Sequence, residues 1–218
     1  AYRCPSTQQG YSPFSTWTRG LAWVILGLAE ELECFRAMPD AAFAPFGGRP
    51  AVEAPMIEAA RATADFYLAN TARDGIPYWD TGAPGLAAMK DWRSWPAHPE
   101  NDHEPVDSSA AVIAAQGLLR LGDYLGRSRA AGRRYWQGGL TIARTVLAPP
   151  YLSEDSRHQG LVLHSVYHRP NGWDCVPKGR KVPCGEASMW GDYHAMELAV
   201  YLRRIVARAP YLAFHHVL

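Results

Sequence analysis

The sequence predicts an all-α protein in which antiparallel helical hairpins build part of a toroid, about half of a twelve-helix barrel. Three observations carry this. Five segments repeat apolar residues at spacings of three and four, the period of one helix face. Only one short stretch, residues 161–168, alternates like a strand. The connections are unequal, and the long ones gather the aromatic and charged residues, as expected when one rim of a helical array carries function.

The first helix is expected over Trp17 to Phe35, with Leu21, Ile25, Leu28, Leu32 and Phe35 as its stripe and Pro39 as its stop. The second is expected from Pro55 to Ala72, because proline suits a first helical turn whose N–H groups are unpaired anyway. Ile57, Ala60, Ala64 and Leu68 mark its buried side, and Asp74-Gly75 ends it. Residues 75–106 form a long connection rich in Pro, Gly and Trp, a length that usually signals function or a lid. It holds Trp79, Trp92 and Trp95 beside Asp80, Asp91, His98, Asp102, His103 and Glu104.

Asp107 reads as the N-cap of an Ala-rich third helix, 108–121, able to pack closely on its neighbours. The fourth is expected over 129–147, with Trp136, Leu140, Ala143, Val146 and Leu147 on one face and Pro149-Pro150 as the stop. A Gly/Pro/basic loop covers 169–185. The last helix is expected over 187–208, with Trp190, Tyr193, Met196, Val200 and Ile205 in register.

Composition excludes several classes. The chain has 218 residues, 48% of them hydrophobic, enough for a sizeable core. A net charge of +1 offers no footprint for nucleic acid or an anionic membrane, so neither is an expected partner. No apolar run has membrane-spanning length. Four cysteines, Cys4, Cys34, Cys175 and Cys184, form neither a zinc ribbon nor a disulfide scaffold. Cys34 reads as a buried thiol, and a Cys175–Cys184 bridge is geometrically possible. No phosphate loop, dinucleotide fingerprint, nucleophile elbow or zinc-protease motif occurs, so no cofactor and no metal are expected.

Four stretches could carry chemistry. Gln9-Gly10-Tyr11 precedes Ser15-Thr16-Trp17-Thr18-Arg19-Gly20-Leu21-Ala22-Trp23. Arg19 and Trp23, four apart, share a helix face. An arginine can clamp a carboxylate and an indole can stack on a sugar. The residues alone equally allow both indoles in the core and Arg19 paired with a local acid. Glu104-Pro105-Val106-Asp107-Ser108-Ser109-Ala110 reads as a helix cap that sets hydroxyls at a helix mouth. In His164-Ser165-Val166-Tyr167-His168-Arg169-Pro170, strand alternation would put His164 with His168 and Tyr167 opposite. In Gly185 to His194, Trp190 and Tyr193 are expected to face the same way. Gly191, costly inside a helix, marks a close approach.

These stretches, in this order, resemble the C-terminal half of an unsaturated glucuronyl hydrolase, and more loosely the unsaturated rhamnogalacturonyl hydrolases. The likeness runs over residues 8 to 206. It implies an (α/α)6 toroid, with residues 1–218 as the C-terminal part of one domain. It implies an enzyme that removes the 4,5-unsaturated uronic acid from the non-reducing end of lyase-generated oligosaccharides. In that chemistry an Asp protonates the vinyl ether, water adds at C5, and the hemiketal opens to release the sugar. By the resemblance Gln9, Arg19 and Trp23 match positions lining the substrate subsite, and Ser108, His164, Tyr167, Trp190 and Tyr193 are placed at or near the cavity rim. Gln8 stands where the family often has His. The family's catalytic Asp residues lie upstream of the Q-G-Y stretch, and no motif in this chain matches them, so the catalytic residues are unknown.

The expected partners are therefore an unsaturated uronyl oligosaccharide and a missing N-terminal half or a second copy. Alone, such a half would expose apolar flanks and be unstable or self-associating. The expected setting is a bacterial cytoplasm or periplasm. A non-catalytic carbohydrate-binding or structural helical module, and a polysaccharide lyase on a similar toroid, are the alternatives.

Overall fold

A computed structural model describes residues 6–210. Five long helices carry the fold: α1 Thr18–Ala37, α2 Arg49–Ala69, α3 Ser108–Tyr124, α4 Ala130–Val146 and α5 Met189–Val206. α1, α3 and α5 lie side by side, with α2 backing α1 and α4 backing α3, so the hairpins form an arc of two layers. Among the described residues there is no strand, only the isolated bridges Trp17–Asp80, Tyr78–Val106 and Leu152–Val162. No helix among them is long and apolar enough to cross a membrane.

α3 is the centre of the arc, and every residue from Ser108 through Gly122 is buried. Its small residues set the spacing. A Cβ on Gly117 would lie 2.7 Å from the Leu26 nitrogen of α1, and one on Gly122 would lie 2.5 Å from the Trp136 nitrogen of α4. Close packing recovers dispersion that wider spacing would lose. The buried charge in this layer is paired: Arg120 reaches Glu33 at 2.6 Å and Glu30 at 3.6 Å, and lies over the Tyr201 ring.

Small residues also explain where the expected faces differ. α4 buries Gly132, Tyr135, Gly139, Ile142, Ala143 and Val146, while Leu140 is exposed. α5 buries Gly191, Ala195, Leu198 and Tyr201 and turns Tyr193, Met196 and Val200 outward. In both, glycine and alanine mark where backbones approach, with Tyr135, Ile142 and Val146 or Leu198 and Tyr201 packed beside them, while Leu140, Tyr193, Met196 and Val200 fall outside the contact. Met189, Tyr193, Met196 and Val200 thereby form an exposed apolar stripe along α5.

α2 begins six residues before Pro55, with Gly48 as N-cap and Pro50 in the first turn. Pro55 sits inside the helix and removes one backbone bond, to the carbonyl of the exposed Ala51. Residues 161–168 do not form a strand. His164 has φ +65°, which interrupts an extended chain, so strand alternation does not govern its side chains. Short 3₁₀ turns at Asp40–Phe46, Pro84–Met89, Trp92–Ser94 and Arg169–Asn171 fill segments expected to be loop. Cys34 is only half-buried, and Cys175 and Cys184 are free thiols; Cys4 lies outside the described residues.

Candidate functional site

Two helices of the arc, α1 and α5, present their N-terminal ends to one cleft, and the N-terminal end of α3 lies behind it. Arg19 is the second residue of α1, Ser109 the second of α3 and Trp190 the second of α5. The cleft, of about 230 Å³, is lined by Gln8, Gln9, Arg19, Trp23, Tyr167, His168, Trp173 and Trp190. Each wall has an identifiable support.

Thr18 fixes the start of α1. Its backbone N–H donates to the Trp79 carbonyl at 3.1 Å and its hydroxyl donates to Tyr78 at 2.8 Å. Asp80, fully buried, accepts the N–H groups of Tyr11 at 2.9 Å and Gly82 at 2.8 Å, and so holds the Gln9-Gly10-Tyr11 turn. A side chain at Gly10 would meet Thr7 at 2.7 Å and Asp80 at 3.1 Å, so the turn needs a glycine there.

Arg19, 2% exposed, is held through both terminal nitrogens, while its Nε has no hydrogen-bond partner among the described residues. Nη2 donates to Gln9 Oε1 and to the Tyr167 carbonyl, both at 2.9 Å. Nη1 donates to Ser109 Oγ at 3.2 Å and to the Val166 carbonyl, and lies 3.4 Å from Asp107 Oδ2. Its guanidinium carbon sits 4.8 Å from the Trp190 ring, 5.0 Å from Trp17 and 5.9 Å from Trp23, within cation–π range. Both terminal nitrogens are committed to the protein, so the group braces Gln9 and the 166–167 backbone against α3.

The aromatic wall is continuous. Tyr167 lies between Trp173, at 5.5 Å, and Trp190, at 5.4 Å, with tilted rings. Asp174 anchors the turn beneath it by accepting the N–H groups of Tyr167 at 2.5 Å and His168 at 3.2 Å. The His168 ring packs 4.8 Å from Trp173, and its Nδ1 accepts from the Asn171 N–H. Across the cleft, Trp23 donates from its indole nitrogen to His194 Nε2 at 3.4 Å. His194 Nδ1 in turn lies 2.9 Å from Glu197. Burial alone would raise the Glu197 pKa, but hydrogen bonds from His194 and Tyr193 hold it below the usual carboxylate range.

Gln9, Arg19, Trp23, Tyr167 and Trp190 therefore converge on one cleft. Three others expected at the rim do not line it. The Ser108 hydroxyl is buried without a hydrogen-bond partner among the described residues. His164 is buried against Tyr151, accepts from the Gly185 N–H at 3.1 Å, and is pushed below the usual imidazole pKa by desolvation. Tyr193 is exposed on α5 and donates to Glu197 at 2.9 Å. His168 and Trp173 line the cleft without having been singled out for it. A tryptophan in a loop of Gly, Pro and basic residues was the available signal for Trp173.

Among the described residues, no carboxylate lines the cleft. The acids nearest in sequence to its motifs hold backbone instead: Asp80 as above, and Asp107 capping α3 by accepting from Ser109 and Ala110. Asp192 accepts from Leu161 and Val162, and Glu186 from Cys175. Among the described residues, no group of three or more His, Cys, Asp or Glu is placed to hold a metal ion.

No family model matches the chain. It is 28% identical to the unsaturated glucuronyl hydrolase of Bacillus sp. strain GL1 over 199 residues, 91% of this chain and 42% of that protein. It is 26% identical to an unsaturated glucuronyl hydrolase of Formosa agariphila, over 88% of this chain and 37% of that one. The solved Bacillus enzyme, described as responsible for the degradation of glycosaminoglycan, superposes with a TM-score of 0.63, over 92% of this chain and 43% of its own. An unsaturated glucuronyl hydrolase variant from Streptococcus agalactiae, complexed with dGlcA-GalNAc6S, shares the fold at a TM-score of 0.59 and 24% identity. The resemblance to unsaturated glucuronyl hydrolases thus holds in both sequence and fold, and the five helices are part of such an α/α toroid. The chain spans about two-fifths of the length of the curated relatives it matches.

Proposed function

We propose that this chain is the C-terminal part of a glycoside hydrolase domain, and that the protein containing it removes a 4,5-unsaturated uronic acid from the non-reducing end of lyase-generated oligosaccharides. The observation that carries the reading is the cleft, where a buried arginine, two glutamine amides and four aromatic side chains meet at the ends of α1 and α5 and the loops beside them, in stretches that resemble that family. Such a lining suits a flat, polar-edged sugar ring. In this reading Trp190, Tyr167 and Trp173 give the ring an apolar face, with Trp23 opposite. Gln9, its carbonyl already taken by Arg19, donates from its amide nitrogen to a sugar hydroxyl. Arg19 lends positive charge near the uronate while bracing Gln9.

The proton that starts the reaction must reach the vinyl ether from a carboxylic acid. Because no carboxylate among the described residues lines the cleft, this reading assigns the acid to a part of the protein outside this chain. The exposed stripe on α5 supports the same picture, since further toroid helices would cover it. The alternative of a non-catalytic sugar-binding module draws on the same missing carboxylate. Ultraviolet absorbance of the conjugated double bond separates the readings. The protein containing this chain is expected to clear that absorbance from unsaturated glucuronyl disaccharides. Sugar binding with unchanged absorbance would favour the binding module, and rising absorbance on an intact polysaccharide would mean a lyase.

A further inference from the structure

We infer that Ser109, backed by Asp107, is a positioning residue that sets both the Trp190 ring and the Arg19 guanidinium against the cleft. A serine hydroxyl donates once and accepts twice, and here each capacity has a partner. It donates to Asp107 Oδ1 at 2.5 Å. It accepts from Trp190 Nε1 at 3.1 Å and from Arg19 Nη1 at 3.2 Å. Ser109 and Asp107 are fully buried. Indole and guanidinium N–H groups can only donate and a carboxylate can only accept, so the single hydroxyl proton has one place to go. The same Asp107 Oδ1 also accepts the Ser109 and Ala110 N–H groups. The polarity is therefore fixed. The carboxylate takes the hydroxyl proton, which leaves the oxygen lone pairs for the indole and the guanidinium.

Ser109 joins the three helix ends in one atom. It belongs to α3, Arg19 to α1 and Trp190 to α5. Gly191 is where α5 comes close: a Cβ there would lie 2.9 Å from Ser188 Oγ and 3.3 Å from the Ser109 Cβ, so a side chain would press on the cap of α5 and on the serine. Trp190 then passes its tilt to Tyr167 and Trp173 through the ring stack. Ser109 touches none of the cleft space itself, so its effect on a bound sugar runs through Trp190 and Arg19.

The test has an arm without sugar and an arm with it; only the second rests on the proposed function. In the chain with isotope-labelled tryptophan, the Trp190 indole N–H is identified by its loss in Trp190→Phe. It is expected to exchange with solvent about tenfold more slowly than the exposed indole of Trp173. In Ser109→Ala its resonance is expected to shift and its exchange to quicken about tenfold, the scale of one lost buried hydrogen bond. The Trp79 indole, bonded to Glu104, stays put as a control for folding. With an unsaturated glucuronyl disaccharide, Ser109→Ala and Trp190→Phe are each expected to weaken binding about tenfold, and the double variant no further, because coupled residues are not additive. A Trp190 signal that exchanges like Trp173 in the wild-type chain would overturn the inference, even if Ser109→Ala fails to fold. So would an unmoved signal in Ser109→Ala, or losses that multiply in the double variant. If the wild-type protein binds no disaccharide, the functional reading fails while the exchange arm still decides the role of Ser109.

Discussion

Trp79 and Trp173 both stand on long, Gly- and Pro-rich loops that meet at the start of α3, yet one is 4% exposed and the other 58%. In residues 75–106 the polar and apolar groups satisfy each other. The Trp79 indole donates to Glu104 at 2.8 Å, the other Glu104 oxygen accepts from Gly85, and Tyr78 packs edge-on against Trp92. In residues 164–190 the carboxylates of Asp174 and Glu186 hold backbone, and the rings are left facing the cleft. The first loop uses Tyr78, Trp79 and Trp92 as a staple and leaves Trp95 exposed outside the cleft lining, while the second displays its rings in the cleft. An excess of tryptophan therefore says nothing about ligand binding until the partner of each ring is known.

Asp107, at the N-cap of α3, bonds to both loops and should give the largest effect. Its N–H donates to the Pro77 carbonyl, its side chain caps α3, and it lies 3.4 Å from the buried Arg19. Asp107→Ala leaves a desolvated guanidinium without its counter-charge, a change that costs about 3–5 kcal/mol. Urea unfolding should show that loss, together with loosening of both loops. A loss below about 1 kcal/mol would mean that the pair behaves as a surface pair and that the two loops are not joined there.

The next two changes separate the loops. Glu104→Ala orphans an indole N–H and a backbone N–H, and should cost about 2–3 kcal/mol of stability while leaving sugar affinity unchanged in the folded fraction. Trp173→Ala should do the reverse. An exposed ring contributes little to folding, so stability should stay within about 0.5 kcal/mol, while disaccharide affinity falls about tenfold with the loss of one stacking surface. Thermal unfolding and calorimetric titration of both variants test the contrast, and equal effects on stability and affinity in each would dissolve it.

How far the sequence reads depends on the same distinction. The five helices were legible from period, and the Asp107 cap from its chemistry, because both are local. The buried faces of α4 and α5 were not. Their contacts run through Gly132, Gly139, Gly191 and Ala195, and a hydrophobic pattern gives little weight to residues whose use is that they are small. Ser108 and Ser109 are adjacent and chemically identical. One helical step of rotation decides that the first is isolated and the second joins Arg19 to Trp190. His164 looked like a strand residue beside His168, but its positive φ separates them and sends one ring into the core against Tyr151. The convergence of Gln9, Arg19 and Trp23 was legible through motif order, and residues 75–106 looked like a lid because their internal partners lie far apart in sequence.

The smallest effect is the acid response, and the two loops should differ there in sign. His164, in the second, is desolvated, so its folded pKa lies below the usual 6.5. As pH falls through 6.5 the unfolded chain takes up a proton that the folded chain resists, and stability is lost. Asp74, at the base of the first, is also desolvated, and the N–H groups of Ala97 and Ile76 only partly offset this, so its folded pKa lies above the usual 3.8. As pH falls through that raised value toward 3.8 the folded chain takes the proton first, and stability is gained. His164→Gln should flatten the decline that sets in as pH falls through 6.5, and Asp74→Asn should remove the gain that appears as pH falls through the raised carboxylate value toward 3.8. Denaturant unfolding across that range reads both slopes. If the His164→Gln slope matches wild type, the ring is hydrated in solution, and the second loop is open further into its base than the cleft alone requires.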